Sequence, residues 1–310
     1  MPKSLPHCQI VPQPDHQASF TIDGVERLRW HFGPGYPRPF FYPLIGPSGA
    51  ILTRIGHPGA PDHDHHRSIW FAHEKVLGIN FWGDNTTARI RQKQWLTYQD
   101  GNEEAILAVS LGWYDGHDPK ELLTQELVAA VRPHGDDETL VELQSTFTPT
   151  AESLELGQTN FGFLAVRVAK SISKFFGGGE LRSSEGALGE REIFGKPARW
   201  MDYSGPIRVQ GGARKSIIEG ITYFDHRDNP GHPAHWHVRE DGWMGASFNR
   251  TGSHVIRRDK PLVLRYLLHA HSAAADPKLA NEIAKDFNQR PAFQLKRLTG
   301  GHIQYQVNRG

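Results

Sequence analysis

The feature that most constrains this chain is a two-residue apolar rhythm that recurs along its length. Residues 139–147 (Thr-Leu-Val-Glu-Leu-Gln-Ser-Thr-Phe) alternate apolar and polar side chains, and apolar, β-forming residues dominate 262–271, 105–113 and 161–169. Successive side chains on a strand point to opposite faces, so such a rhythm sets one face against a core. Glycine (32) and proline (21) are spread along the 310 residues and cut the chain into strand-and-turn lengths. Residues 220–226 end a further apolar run in Asp225 and His226, at a strand end where loops carry function. One segment has helical marks instead: Asp276 as N-cap, Pro277 at the first helical position, and Leu279, Ile283 and Phe287 on one face. The three glycines at 177–179 read as a tight turn or bulge. Neither a strand–helix alternation, a repeat nor a Gly/Ser linker interrupts the pattern. The expectation is an all-β chain: a large antiparallel β-sandwich over residues 1–310 as one domain, with few short helices and a C-terminal helix and strand over 276–310.

Charge excludes some function classes. With 35 basic and 34 acidic residues, nothing argues for a nucleic-acid partner or an anionic membrane surface. Cys8 is the only cysteine, so neither an intramolecular disulfide nor a Cys-rich zinc site is available, and any metal must be held by His, carboxylate, backbone or water. No apolar run approaches the roughly 20 residues that span a bilayer, and the first residues lack the apolar stretch of a signal peptide. The expected location is the cytoplasm. Phosphate-loop, dinucleotide and Gly-x-Ser-x-Gly patterns are all missing.

Histidine is the outlier, at 18 residues, and it clusters. One knot is Asp62-His63-Asp64-His65-His66-Arg67 with Trp70 and His73; the other runs from Asp225-His226 through His232 to His235-Trp236-His237 and Arg239. Imidazole titrates near neutrality and is a common metal ligand, so such knots concentrate chemistry. In an extended segment His63 and His65 would share a face, which makes them candidate ligands for a divalent metal, whereas a turn would gather the cluster differently. A solvated His-rich loop is the plainer alternative. Trp70, Phe71, Phe81 and Trp82 offer stacking faces for a sugar ring, or simply core. Asp202 could orient an imidazole or serve a turn before Gly205-Pro206; Arg167 and Arg239 could clamp a carboxylate or developing oxyanion, or form ordinary ion pairs.

Arg38-Pro-Phe-Phe-Tyr-Pro-Leu, Thr53-Arg54, the first His cluster through His73, Gly78-Ile-Asn-Phe-Trp82, the segment 161–169, Gly195 to Gly205 and the second His cluster, taken together and in order, resemble a bacterial family labelled "methane oxygenase PmoA" or "PmoA family". The resemblance covers about residues 25–272. A membrane methane monooxygenase subunit needs several transmembrane helices, which this chain lacks; the β-rich pattern is more similar to galactose mutarotase-like supersandwich proteins. That similarity implies a carbohydrate-active protein, and the occurrence of relatives beside sugar oxidoreductases implies carbohydrate catabolism. The chain departs from the family pattern at Gly242-Trp-Met-Gly-Ala-Ser-Phe-Asn, where relatives read Gly-Leu-Phe and then Asn-Pro-Phe-Gly, which bears on ligand specificity.

The expected function is therefore a soluble carbohydrate-active enzyme of lyase, hydrolase or epimerase type, acting by acid–base chemistry on a sugar or keto-sugar derivative. The alternatives are a non-catalytic sugar-binding module, or a copper- or iron-dependent oxygenase as the family label suggests. Moving a proton at a ring calls for an acid and a base on opposite sides of it. His66, His73 and His237 are the expected proton carriers, with Asp225 or Asp202 orienting an imidazole. Arg67 and Arg167 would hold a carboxylate or oxyanion, Trp70 and Trp236 would stack, and His226 and Arg239 would complete the binding groups. The two clusters, about 160 residues apart, are expected to meet in one concave site.

Overall fold

The computed structural model describes residues 4–208, 216–299 and 301–310. Two eight-stranded sheets dominate, and every pairing within them is antiparallel. In spatial order the first sheet runs Cys8–Gln13, Gln17–Ile22, Val25–His31, Phe40–Leu44, Ile69–His73, Gly162–Arg167, Trp243–Ser247 and His235–Arg239. The second runs Glu180–Ser183, Trp200–Arg208, Ser216–Asp225, Leu262–Ser272, Glu138–Pro149, Leu123–His134, Ala105–Tyr114 and Arg89–Gln99. Two small hairpins flank them: Ser153–Leu156 with His254–Arg257, and Phe293–Arg297 with Tyr305–Arg309.

The main core lies between the two sheets. Phe20, Ile69, Phe71, Leu164, Val166, Val238 and Met244 come from the first, and Leu107, Leu127, Val141, Leu143, Tyr223, Leu268 and Ala270 from the second. Their odd–even parity within each strand is the rhythm seen in the sequence. Two buried tyrosines tie the sheets together: Tyr223 Oη donates to the Leu164 carbonyl at 3.1 Å, and Tyr203 Oη to the Glu240 carbonyl at 2.9 Å. A buried hydroxyl left without such a partner would cost about 1–3 kcal/mol, so each bond also fixes the spacing of the sheets.

The outer face of the second sheet is covered by the C-terminal segment. Helix Pro277–Gln289 is capped by Asp276, whose carboxylate accepts from the Lys278 and Leu279 amides, and it buries Ala280, Ile283, Ala284 and Phe287 on Leu140, Trp200, Phe224 and Leu267. The final hairpin places Phe293 and Val307 on Ile106, Ala108, Val128 and Ala130. The other helices, Lys174–Gly177, Gly189–Ile193 and the 3-10 turn Pro61–His63, are single turns. The glycine run ends the first of these: Gly178 has φ +81°, and a Cβ at Gly179 would lie 1.8 Å from the Ile172 carbonyl oxygen. Among the described residues, no helix is long and apolar enough to cross a membrane.

Leu268, fully buried, and Val263, 39% exposed, sit on one strand with opposite parity. Leu268→Ala is expected to destabilise the fold by about 2–5 kcal/mol in chemical denaturation, and Val263→Ala by less than about 1 kcal/mol. Equal losses would contradict the assignment of the core to the space between the sheets.

Candidate active site

The first sheet brings the two histidine clusters onto its outer face. Register pairs Trp70 with Ala165, Ala165 with Gly245, and Gly245 with His237, so these four residues form one row across four strands. Because the middle two are small, the Trp70 indole and the His237 imidazole border a hollow. Gly245 is required there: a Cβ would come within 2.8 Å of Cζ3 of Trp243, whose ring folds across it. The next row is Arg167, Trp243 and Arg239.

Loops close the hollow into a cavity of about 560 Å³. His63, His65 and His66 line one side, Phe161, His237, Arg239 and Trp243 the other, with Glu74, Asn80, Trp82, Asp84 and Asp241 between. Residues 60–66 are not extended. The His63 amide donates to the Ala60 carbonyl and the His66 amide to the His63 carbonyl, and this turn gathers three imidazoles, with ring centres 5.2 Å (His63–His66) and 4.3 Å (His65–His66) apart. His66 stacks on Trp70 at 5.3 Å and meets Trp243 at 5.6 Å. His237 meets the same Trp243 at 4.3 Å and is boxed by Phe161 and Phe194. The two imidazoles therefore flank one indole.

Unpartnered buried polar atoms concentrate here. Nδ1 of His66, both ring nitrogens of His237, and the indole nitrogens of Trp70 and Trp82 have no hydrogen-bond partner among the described residues. The Asn160 carbonyl lies near His237 without making a bond of good geometry. Buried polar groups are almost always paired, so a set of orphans around one cavity marks where water or a ligand belongs. Burial, helped by the Arg239 charge, pushes the His237 pKa down to about 3; burial and the neighbouring His65 and Arg167 push that of His66 lower still. Both rings are neutral at pH 7, each able to accept a proton or donate one hydrogen bond.

Two cavity carboxylates are held from below by arginines. Asp84 accepts from Arg67 Nη1 at 3.0 Å and Nη2 at 2.5 Å, with Arg38 at 3.2 Å. Asp241 accepts from Arg167 at 2.9 and 3.4 Å and is bonded to His57 Nε2 at 2.9 Å. Burial raises both carboxyl pKa values, but the guanidinium contacts outweigh it and hold both groups ionised. Glu74 accepts from Thr159 Oγ1 at 2.5 Å.

The expected site residues separate accordingly. His63, His65, His66, His237 and Arg239 line the cavity; Trp70 backs His66, while Arg67 and Arg167 lie beneath it, paired with carboxylates. His73 shares parity with Ile69 and Phe71 and points inward; its Nε2 bonds Asn249 at 2.9 Å and its Nδ1 accepts from the Lys75 amide. Trp236 shares parity with Val238, is fully buried, and donates to the Ala198 carbonyl at 2.8 Å. Asp225 holds Asn229, His232 and the Ala234 amide; His226 is bonded to Arg265 and packs on Phe287. Asp202 bonds His271, Thr222 and Ser204 on the second sheet. These last five residues do not line the cavity. His57, Glu74, Asn80, Asp84, Phe161, Asp241 and Trp243 were not among the residues the sequence assigned to the site, although Asn80, Phe161 and Trp243 lie in segments that carry the family resemblance or depart from it. The parity that His237, Arg239 and Trp243 share could have found the last of these.

The sequence model of a family of unknown function (DUF6807) matches residues 17–285. The chain belongs to this family. The DUF6807 span contains every cavity residue and ends before the final hairpin; the family carries no assigned activity, and the PmoA label does not accompany it. No curated protein matches the chain. Among solved structures, a polysaccharide lyase aligns over 96% of it with 8% identity and a TM-score of 0.33, the chain spanning 36% of that protein's length.

The depressed imidazoles make a signed prediction for this DUF6807 protein. An unfolded histidine binds its proton near pH 6.5, whereas His237 in the fold does so near 3, so stability is full above 6.5 and falls as pH drops towards 3. The slope is about 1.4 kcal/mol per pH unit for each such ring. Between pH 6.5 and 4.5, His237→Asn is expected to lose about 2 kcal/mol less than the wild type in denaturant titrations. Parallel losses would show that His237 is not held neutral.

Proposed function

We propose that the cavity is the active site of a carbohydrate-active enzyme that moves protons on a neutral sugar or keto-sugar, by lyase, hydrolase or epimerase chemistry. The observation that carries this reading is the pair His66 and His237, flanking Trp243 with unpartnered ring nitrogens. A sugar ring lying against Trp82, Phe161 and Trp243 would present its C–H face to the aromatics and its hydroxyls to Glu74, Asp84 and Asp241. Ionised carboxylates accept from hydroxyls and repel anions, and the arginines below are already paired, so a neutral substrate suits the lining better than an acidic one. In this reading Arg67 and Arg167 orient Asp84 and Asp241 rather than clamp a substrate carboxylate. A neutral imidazole serves as base, or as donor to a carbonyl oxygen, without first losing a proton. A cytoplasmic setting and kinship with the PmoA-labelled sequences belong to the same proposal, as does the treatment of residues 1–310 as one domain.

A second reading has its own observation. The rings of His63 and His65 are 5.7 Å apart on the cavity lining, next to His57 and His66, and side-chain rotation that brings their nitrogens together would offer a divalent metal two imidazoles. Stoichiometric copper or iron in the purified protein would favour an oxygenase over acid–base chemistry.

The deciding experiment is a thermal-shift screen of neutral sugars, keto-sugars and sugar acids, followed by turnover assays on the binders. His237→Ala and His66→Ala are each expected to lower kcat by about 10²–10⁴-fold. If both variants fold normally and keep full turnover, the assignment is wrong. Binding by the wild type without turnover would point to a sugar-binding module.

A further inference from the structure

The second sheet carries a titratable cluster unrelated to the cavity. His134 and Glu138 face each other across the hairpin of Leu123–His134 and Glu138–Pro149, and His269 lies on the adjoining strand, paired with Leu140. All three have parity opposite to the core residues Val131, Val141, Leu268 and Ala270, so they project together from the outer face. One imidazole nitrogen from each histidine and one Glu138 oxygen lie within 4.8 Å of one another. His269 Nε2 is 2.8 Å from Glu138 Oε2, and the His134 ring stands at 90° to that of His269, their centres 5.1 Å apart.

We propose that His134, Glu138 and His269 form a binding site for a divalent cation of borderline softness, zinc foremost, that clips three neighbouring strands together. Two imidazoles and a carboxylate make a standard three-ligand set, which leaves a fourth position for water. Tetrahedral zinc with bonds of about 2.0–2.1 Å places its ligand atoms about 3.3 Å apart. The Glu138–His269 pair, 2.8 Å apart, would open by about half an ångström, and the separations to His134, which lie within 4.8 Å, would close by up to about 1.5 Å to accept it. The carboxylate is already fixed, because its other oxygen accepts from the Ser272 amide at 2.9 Å and the Ser272 hydroxyl at 2.7 Å. Such outer bonds orient metal ligands. Protonation also suits the ion. Burial lowers the pKa of His134 and His269, and although burial acts to raise that of Glu138, the bonds from His269 and Ser272 bring it down to about 2. At pH 7 no net release of a proton is required: Nε2 of His269, which donates to Glu138, passes its proton to Nδ1 by a change of tautomer as the metal binds. The Arg132 charge nearby opposes a dication, against which stand Glu138 and Asp286.

The test is calorimetric titration of chelator-treated full-length protein with zinc chloride, with thermal melting alongside. The wild type is expected to bind one zinc per chain and to melt at a higher temperature with it. His134→Ala and Glu138→Gln should weaken binding on the order of 100-fold or more and abolish the melting shift. The double substitution His63→Ala/His65→Ala, which removes the cavity's candidate ligands, should leave both intact. His134 is only half-buried, so its variant tests the site even if His269→Ala fails to fold. Absence of stoichiometric binding in the wild type would overturn the proposal, as would binding lost only in the cavity double variant.

Discussion

The site depends on one steric constraint: two small residues in the middle of a sheet row. With Ala165 and Gly245 between Trp70 and His237, the outer face of the first sheet is hollow where most sheets would carry bulk. Trp243 can lie across Gly245 only because no Cβ stands there, and both His66 and His237 then rest against its ring. The same device works on the strand between the clusters, where a Cβ at Gly162 would come within 2.4 Å of the His73 ring. Glycine is costly inside a strand, by roughly 0.5–1 kcal/mol relative to alanine, so its presence at close ring contacts is informative.

Charge is arranged in layers beneath that hollow. Arg38 and Arg167 are almost wholly buried, and a buried guanidinium must find acceptors. Arg38 donates to the carbonyls of Phe81 and Gly83 and so shapes the loop that presents Trp82 and Asp84; Arg167 takes Asp241. Removing one partner of such a pair leaves an uncompensated charge and costs about 3–5 kcal/mol when both are buried, less here because Asp84 and Asp241 are part-exposed. The carboxylates at the cavity are thus pinned in place and kept ionised, a fixed set of hydrogen-bond acceptors.

The second histidine cluster proves to be two structures in succession. Asp225, at the end of a second-sheet strand, grips Asn229, His232 and the Ala234 amide, and so directs the loop that crosses to the first sheet. Only after that crossing do His237 and Arg239 reach the cavity. Asp225 and His226 therefore have a structural task that delivers the strand carrying His237, and their sequence proximity to it reflects connectivity rather than shared chemistry.

Local periodicity made much of the fold readable. The strands over 138–149, 262–272 and 105–114 and the helix from Pro277 lie where alternation and capping put them, because side-chain direction on a strand and the N-cap bond are set by neighbouring residues alone. The same parity would have sent His73 and Trp236 inward with their apolar neighbours, and His237 outward. The convergence of the two clusters, expected from their shared composition, holds for residues 62–66 with His237 and Arg239, while Asp225, His226 and Trp236 stay away from the cavity. What composition could not supply was the role of each charge. Arg67 and Arg167 read as free clamps, yet they lie beneath the floor with Asp84 and Asp241 as partners; Asp202 and Asp225 read as orienters of the site, yet they serve the other sheet. A residue's face is decided by its strand, but its partner is decided by which strands close around the core, and that depends on the packing of the two eight-stranded sheets as a whole. Local pattern is enough to specify the β architecture, the alternation and the two chemical clusters; which half of each cluster shares a cavity is settled by packing, because pairing and burial are long-range consequences of the two sheets meeting on one core.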